Sequence, residues 1–428
     1  MTILIILFIG LLIINMPIAF VIGISGISYF VTSNAIPLSV AVQRVVSQTQ
    51  SFAFLAVPFF VFAGNLMNET GITDRLLRLS RLLTRTLAGG VAQVSVILST
   101  LMGGVSGSAV ADAAMEARIL GPEMDAKGYP KGYSAAVICL TSLITATIPP
   151  SLGLILYGFV GEVSIGRLFA AGIVPGILMM TFLMVTVSIT SKKHGYDLPE
   201  PNIEKASAKE ILEDLKTSIW ALIFPIILIV GIRFGIFTPS EAGAFAVVYA
   251  LIIGVFVYKE LTWEKFKMSV VNTVIDNGAI ILIISFSGIF SYVLTYVNAP
   301  TVLSGFLVGI SSNGKVLTLI MLLFLFFTGM IVDSNVNILL LTPIFLPVVQ
   351  SLGIDPVHFG VCMMTIVTMG CMTPPVGTAC YIVCGIMGIS ISDYVKHSIP
   401  FFVAVILLDI VLVLFPQLVL FVPNLIFN

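Results

Sequence analysis

Two apolar segments of this sequence are interrupted in the same way. Residues 145–153 read TATIPPSLG and residues 370–378 read GCMTPPVGT, so each carries a Pro-Pro pair. Two consecutive prolines remove two backbone hydrogen-bond donors, and neither of the surrounding segments, 130–162 and 355–388, can therefore form one continuous helix. Interrupted backbone at membrane depth is tolerated only where protein surrounds it or where it lines a wet cavity. The two breaks thus predict an interior site.

The composition indicates that the solvent of this chain is lipid. Of its 428 residues, 58% are hydrophobic and 10% are charged, whereas soluble domains carry about 25% charged residues. We therefore expect a lipid bilayer around the chain, and the net charge of −1 argues against a nucleic-acid partner. The cysteines and histidines lack the spacing of a zinc site, and no nucleophile–base pair is evident, so the sequence does not predict an enzyme.

The breaks belong to an internal repeat. A shift of 225 residues places Gly104 on Gly329, Pro122 on Pro347, Gly128 on Gly353, Pro149-Pro150 on Pro374-Pro375, and Pro175 on Pro400. Proline makes up only 21 of 428 residues, so four matches at one ungapped offset are not a coincidence of composition. Matched broken segments in two halves are the sequence sign of a transporter binding site.

Each half also contains a predicted re-entrant hairpin. Residues 90–121 and 315–350 each have two short apolar pieces around a polar centre, VSGSAVAD at 105–112 and GMIVDSNVN at 329–337. Neither piece of the first hairpin reaches the roughly 20 residues that a spanning helix needs, and the second repeats its shape. We therefore expect an all-α membrane protein built from two inverted repeats, with two re-entrant helical hairpins and two broken helices.

The apolar runs predict the division of the chain. Clear spans are expected at 3–32, 52–67, 217–236, 238–258, 273–297 and 397–422. The first repeat covers 1–190 and includes an amphipathic arm at 71–88, a cytoplasmic linker covers 191–216, a connecting scaffold helix covers 217–236, and the second repeat covers 237–428. The arm carries four arginines on one helical face, as a helix at the membrane surface does.

Two independent counts predict that the second repeat is inverted. Four crossings in the first half and one more at 217–236 reverse the direction in which the second half enters the membrane. With the N-terminus in the cytoplasm, 15 of the 20 lysines and arginines lie in predicted cytoplasmic segments, as the positive-inside rule requires. The hairpin at 90–121 then opens from the cytoplasm and the hairpin at 315–350 from outside.

The hairpin tips and the breaks supply oxygen atoms that suit a sodium ion. Unwound segments free backbone carbonyls for this purpose, and the repeat pairs each tip with the broken helix of its own half. The first predicted sodium site combines Ser106 and Ser108 with Thr145 and Ile148, and the second combines Gly329 and Asp333 with Gly370 and Thr373. For the serines, a helix-packing role is the alternative.

An anionic substrate needs hydrogen-bond donors, and helices that begin at the tips present partial positive charge there. The predicted substrate-binding residues are Ser106, Ala109, Asp112, Ser151, Ser334, Asn337 and Thr378. A carboxylate in so apolar a setting requires a partner or an ion. The alternatives are a helix N-cap for Asp112 and Asp333, and a pair with Arg118 for Asp112 or Glu116. Asp276 and Asp409 are weaker candidates.

Several motifs resemble one transporter family. The run GGVSGSAVADAAMEARILGPEM at 103–124, followed by GYPKGYSAA at 128–136 and LFAAGIVPG at 168–176, is similar to the large membrane subunit of tripartite ATP-independent periplasmic (TRAP) transporters. The segments FTPSEAGAFAVVYAL at 237–251 and TPPVG at 373–377 extend the resemblance over essentially the whole chain.

The resemblance implies an elevator-type carrier in the bacterial inner membrane that a sodium gradient drives. It implies two partners, a small four-helix membrane subunit and a soluble periplasmic binding protein that delivers an organic acid. Because the chain starts at the large-subunit pattern, we expect the small subunit to be a separate chain. The sequence as a whole is most similar to sialic-acid (N-acetylneuraminate) members. A C4-dicarboxylate or another carboxylate is the alternative substrate, and an ion channel is the alternative function.

Overall fold

The computed structural model describes residues 2–14, 16–33, 36–199, 207–311 and 313–427, and every regular element within them is a helix. The α-helices are α1 (Thr2–Ile13), α2 (Ile18–Thr32), α3 (Leu38–Thr49), α4 (Ala56–Asn68), α5 (Ile72–Thr84), α6 (Gly90–Gly103), α7 (Ala109–Ala126), α8 (Lys131–Thr147), α9 (Leu152–Gly161), α10 (Ile165–His194), α11 (Ala208–Arg233), α12 (Pro239–Ile252), α13 (Trp263–Tyr296), α14 (Ala299–Ile310), α15 (Gly314–Gly329), α16 (Ser334–Ser351), α17 (Pro356–Cys371), α18 (Thr378–Met387), α19 (Ile391–Leu414) and α20 (Pro416–Phe427). The predicted all-α class is confirmed.

The helices recur at the offset at which the sequence repeats. Helices α7 and α16 are related by 225 residues at both ends. The pairs α6 and α15, α8 and α17, α9 and α18, and α10 and α19 begin within one residue of the same offset. Glycine and proline set these boundaries, because they determine where the backbone can and cannot continue a helix.

Among the residues that the structure describes, six helices are by length and composition able to cross a membrane, and the number rises to at most nine if each bent helix pair counts as one span. The six are α10, α11, α12 with the π-helical turn that follows it, α13, α16 and α19. One of the bent pairs is α8 and α9, which meet at 45° at the first Pro-Pro break. The chain is therefore a multi-pass membrane protein.

Some helices begin or end away from the predicted positions. The predicted span 3–32 consists of α1 and α2, and Pro17, which precedes α2, disfavours helical backbone in the residue before it. The predicted span 397–422 likewise divides between α19 and α20. These divisions alter the helices on which the crossing count depended.

The predicted linker 191–216 is shorter than expected at both ends. Helix α10 continues to His194, and α11 begins at Ala208 because Ser207 and Glu210 form a capping box. The scaffold helix predicted at 217–236 therefore starts nine residues earlier and ends at Arg233. Residues 200–206 of the linker lie outside the described residues.

The broken helices lie in the most enclosed part of the chain. Every residue of α8 from Gly132 to Thr147 is buried, and so is every residue of α17 from Val357 to Cys371. Helices α6, α7, α10, α18 and α19 pack around α8, while α15, α16 and α19 pack around α17. A second group, α2, α3, α4, α12 and α13, packs mainly within itself and meets the first group through α4 with α9 and α13 with α16.

The predicted arm at 71–88 contains α5, whose Leu76, Leu77 and Leu79 are buried, whereas Leu83 is exposed. Its arginines form ion pairs with acids of other elements: Arg75 with Glu260 at 2.7 Å, Arg81 with Glu123 at 2.6 Å, and Arg78 with Asp214. The pair with Glu123 links α5 to the C-terminal end of α7. These half-exposed pairs position the arm, and each contributes little stability alone.

The second hairpin and its broken helix touch through glycine backbone, which predicts a cost for any added side chain. A Cβ built on Gly370 would lie 2.6 Å from the Gly329 Cα. We expect Gly370→Ala to destabilise the fold by about 1–3 kcal/mol, as overpacking does. The midpoint of heat-induced loss of the monodisperse chromatography peak should fall. Gly385→Ala, whose added Cβ meets no atom within 4 Å, is the control. Equal midpoints for the two variants would contradict the contact.

Candidate functional site

A cavity of about 510 Å³ separates the two helix groups. On one side lie both hairpin tips, with Ser106 and Ser108 from the first and Asp333 and Asn335 from the second. On the other side lie α4 and α13, with Phe224 of α11 between them. The tips come from different halves of the chain, so the internal repeat brings them together at one place.

Two helices begin on the wall of this cavity. Ser108 is the N-cap of α7, and its Oγ accepts a hydrogen bond from the Ala111 N–H at 3.4 Å. Asp333 is the N-cap of α16, and its Oδ1 accepts from the Asn335 N–H at 2.9 Å. The N-cap alternative for Asp333 is therefore found in the structure. The free N–H groups of the two first turns bring partial positive charge to the cavity.

The opposite wall is mostly apolar, has three polar side chains, and carries no basic side chain among the described lining residues. Asn65 and Asn68 of α4 and Asp276 of α13 line it. The Asn65 Nδ2 donates to the Asp276 Oδ2 and to the Thr273 Oγ1, both at 3.1 Å, which fixes the amide between the two helices. Asp276 therefore lines the cavity, although the sequence indicated it only as a weaker candidate.

The first hairpin tip rests against its own broken helix. Gly107 has φ +64°, and a Cβ built on it would lie 2.1 Å from the Pro150 carbonyl oxygen. The Leu152 N–H donates to the Gly107 carbonyl at 3.3 Å. Only glycine allows this backbone shape and this close approach at low cost. The other face of the tip meets Gly64 of α4, whose added Cβ would lie 3.2 Å from the Ser106 carbonyl oxygen.

The second tip rests against its broken helix in the same manner. Gly329 and Gly370 are in backbone contact, and the Val376 N–H donates to the Met330 carbonyl at 3.2 Å. The Thr373 Oγ1 donates to the Met369 carbonyl at 2.8 Å. The structure therefore brings the predicted partners Gly329 and Gly370 together, with Asp333 at the end of the same tip.

Residues of the predicted first sodium site already form hydrogen bonds within the protein. The Thr145 Oγ1 lies 2.9 Å from the Ser99 carbonyl oxygen and 2.5 Å from the Asp112 Oδ2. The Ile148 N–H closes α8 by donating to the Ile144 carbonyl at 2.9 Å. Both residues lie against the end of α6, just before the first tip, since a Cβ on Gly103 would lie 2.7 Å from the Ile148 Cβ and 3.4 Å from the Thr145 Cα.

The family assignment follows from comparison with known proteins. The model of the DctM component of the tripartite ATP-independent periplasmic transporter matches residues 5–418. The chain belongs to this family. It is therefore the large permease component of a TRAP transporter, a transport protein rather than an enzyme.

Relatives of this TRAP permease agree with the assignment over their full length. It is 34% identical to the sialic acid TRAP transporter large permease protein SiaM of Vibrio cholerae, over 97% of this chain and 96% of the relative. It is 32% identical to the 2,3-diketo-L-gulonate TRAP transporter large permease protein YiaN of Escherichia coli, over 95% of each. The solved YdaH transporter of Alcanivorax borkumensis shares the fold, with a TM-score of 0.64, 12% identity and 90% of each chain covered.

Most residues that the sequence assigned to substrate lie behind the cavity wall of the permease. Ser106 lines the cavity; Ala109, Asp112, Ser151, Ser334, Asn337 and Thr378 do not. Ser151 is the N-cap of α9, and Asn337 donates from Nδ2 to the Thr328 Oγ1 at 3.1 Å. Ala111 and Ala114 of α7 and Val336 and Leu339 of α16 line the cavity, whereas Asp112, Ser334 and Asn337 lie on other faces of these helices and are buried.

The placement of Asp112 differs most from the prediction. It is 1% exposed and accepts a hydrogen bond from Thr145, while its predicted partner Arg118 is exposed on another face of α7. The sequence analysis did not identify Asn65, Asn68 and Phe224, because they lie in apolar helices and no motif surrounds them. The one available signal was Asp276, a charge within an apolar span.

Thiol accessibility should separate the cavity wall of the permease from the residues behind it. All five native cysteines are buried, so they give a low background. We expect Asn335→Cys, on the cavity wall, to react with a water-soluble maleimide in open membranes. Ser151→Cys, at a position that is 0% exposed, should remain unlabelled on the same timescale. Equal labelling rates, measured by gel shift, would contradict this arrangement.

Proposed function

We propose that this permease is a sodium-coupled carrier of an organic acid and that the cavity between the hairpin tips and α4 and α13 is its substrate site. The observation that carries the proposal is that α7 and α16, one from each half, both begin on the wall of this cavity. Helix N-termini bind carboxylates through N–H groups, so an anion can be held there without a lysine or arginine.

Sodium supplies the missing positive charge in this proposal. Asp333 contributes a carboxylate to a cavity that also has to accept an anion, and a cation beside the tip would relieve that conflict. The donor set fits a hard cation, because each tip and its break bring carbonyl and hydroxyl oxygens together. Ser106, Ser108, Thr145 and Ile148 remain the predicted first site, and Gly329, Asp333, Gly370 and Thr373 the predicted second.

The lead substrate is N-acetylneuraminate. Two relatives are named for sialic acid and for 2,3-diketo-L-gulonate, and both of these compounds are hydroxylated acids. The polar side chains of Asn65, Asn68 and Asp276 suit hydroxyl groups, since amide and carboxylate groups together accept and donate. A smaller carboxylate, such as a C4-dicarboxylate, is the alternative and would leave these groups unpaired.

Alternating access by an elevator fits the two helix groups. The group around α8 and α17 would carry the cavity wall that holds sodium and substrate. The group of α2, α3, α4, α12 and α13 would stay fixed in the bilayer. We place the permease in the bacterial inner membrane with a cytoplasmic N-terminus, beside a small four-helix membrane subunit. A periplasmic binding protein would deliver the acid.

Uptake into proteoliposomes that contain the membrane complex and its binding protein should require a sodium gradient. We expect N-acetylneuraminate uptake to fall to background when potassium replaces sodium, because the coupling ion is then absent. Undiminished uptake in potassium would exclude the coupling. Uptake without the binding protein at rates far above those of a carrier would instead favour a channel. Competition with unlabelled diketogulonate and a C4-dicarboxylate would rank the substrates.

Two tip variants test the site. Asp333→Ala and Ser106→Ala should each lower uptake by about tenfold or more, because each removes a side-chain oxygen that the proposal assigns to sodium or substrate binding. Both should keep the elution profile of the unmodified complex. Asp125→Ala, which removes an exposed carboxylate paired with Lys131 at 3.6 Å, is the matched control and should transport normally. Full activity in both tip variants would place the site elsewhere.

A further inference from the structure

A buried polar cluster lies behind the first hairpin tip, away from the cavity wall. The members of this cluster are Ser95, Ser99, Asp112, Glu116, Thr141 and Thr145. All six are between 0% and 1% exposed. They come from α6, α7 and α8, so the cluster lies where the hairpin packs on the first broken helix.

The two carboxylates receive only hydroxyl donors. The Glu116 Oε1 accepts from the Ser99 Oγ at 2.8 Å, and its Oε2 accepts from Ser95. The Asp112 Oδ2 accepts from the Thr145 Oγ1 at 2.5 Å. The Asp112 Oδ1 is buried and has no hydrogen-bond partner among the described residues. One oxygen of the cluster is therefore free to bind something that protein groups do not supply.

The charges of the cluster are also unbalanced. Among the described residues, no lysine, arginine or histidine forms an ion pair with Asp112 or Glu116. Two adjacent carboxylates at membrane depth carry a formal charge of −2 if both are ionised. Buried charges in proteins are paired or hold an ion, because the cost of removing them from water is otherwise uncompensated.

The second half shows that the fold does not require these polar groups. At the 225-residue offset, the positions of Ser95, Ser99, Asp112, Glu116, Thr141 and Thr145 are occupied by Ile320, Phe324, Asn337, Leu341, Ile366 and Gly370. No carboxylate or hydroxyl is among them. Three of these positions, Asn337, Ile366 and Gly370, are buried as their first-half counterparts are, whereas Ile320 and Leu341 are half-buried and Phe324 is exposed. The positions that are buried in both halves thus hold an amide, an apolar side chain and a glycine where the first half has an acid and two hydroxyls. The difference points to a ligand rather than to packing.

We propose that Asp112 and Glu116 bind a monovalent metal cation, sodium in this transporter, at a site inside the first hairpin. The proposal rests on the proposed sodium coupling and adds a cation to those at the tips. Carboxylate and hydroxyl oxygens are the ligands of hard cations, and the cluster has eight such oxygens. The cation fastens α7 to α8 through Asp112 and Thr145, and Thr145 also belongs to the predicted first tip site.

The second half supplies a variant that should fold. Asp112→Asn combined with Glu116→Leu gives the first hairpin the residues that the second already has at these positions, Asn337 and Leu341. Radioactive sodium bound per purified membrane complex is measured at saturation by scintillation proximity. We expect the double variant to bind one sodium ion fewer than the unmodified complex while keeping its elution profile.

A second variant and a control complete the test. Ser99→Ala keeps both charges and removes one hydroxyl, and it should raise the sodium concentration for half-saturation severalfold. Asp125→Ala removes an exposed carboxylate of α7 that pairs with Lys131, outside the cluster, and should bind sodium as the unmodified complex does. The same number of bound ions in the double variant and the unmodified complex, with unchanged half-saturation in Ser99→Ala, would overturn the proposal. An unmodified complex that binds no sodium would refute the coupling itself and this site with it.

Discussion

Peptide groups that leave a helix inside a bilayer have to find partners within the protein, because lipid offers none. Here the breaks after α8 and after α17 meet this requirement by contact with the hairpin tips. Leu152 donates to Gly107 at the first break, and Val376 donates to Met330 at the second. Side chains are excluded from both contacts by glycine. Each hairpin therefore lies against its own break, and the cavity forms between the two tips on one side and α4 and α13 on the other.

The same constraint explains how a cavity without a basic side chain can suit an anion. A hairpin that turns back inside the membrane must begin a second helix at its tip, and that helix begins with unpaired N–H groups. Ser108 and Asp333, which line the cavity, cap part of each first turn and leave its other N–H groups without a helical partner. The anion recognition proposed for these N–H groups would be rigid, because α7 and α16 are packed on α8 and α17.

The sequence predicted the backbone of this site better than its side chains. The tips and the breaks followed from proline and glycine at a fixed offset, since these residues determine local backbone on their own, whereas α7 continues to Ala126, five residues beyond the predicted end of the hairpin at 121. The break near Pro17 was overlooked because a single proline in an apolar run does not by itself distinguish a kink from two helices. Asn65 and Asn68 were overlooked because their role depends on which helix faces the tips, and that is a property of tertiary packing.

Asp112 illustrates both the strength and the limit of reasoning from sequence. A carboxylate in an apolar segment was correctly expected to need a partner. The proposed partner, Arg118, lies six residues away and so on a different face of α7, whereas Glu116 lies four residues away on the same face. Asp112 therefore lies beside a second acid, Glu116, and not beside the expected arginine. Helical spacing alone could have raised that possibility, but only the structure shows the four hydroxyls that gather around it.

The departure from internal symmetry is as informative as the symmetry itself. Two halves whose helices begin within a residue of one offset face similar packing requirements where equivalent positions are buried in both, as Asp112 and Asn337 are. Apolar residues and an asparagine suffice in the second hairpin. Two acids in the first are costly to bury, and a chain that retains them gains something that packing cannot provide. If the permease is the sodium-driven carrier proposed above, a cation bound in the first hairpin would be such a gain, because it would make the packing of α7 on α8 depend on the ion.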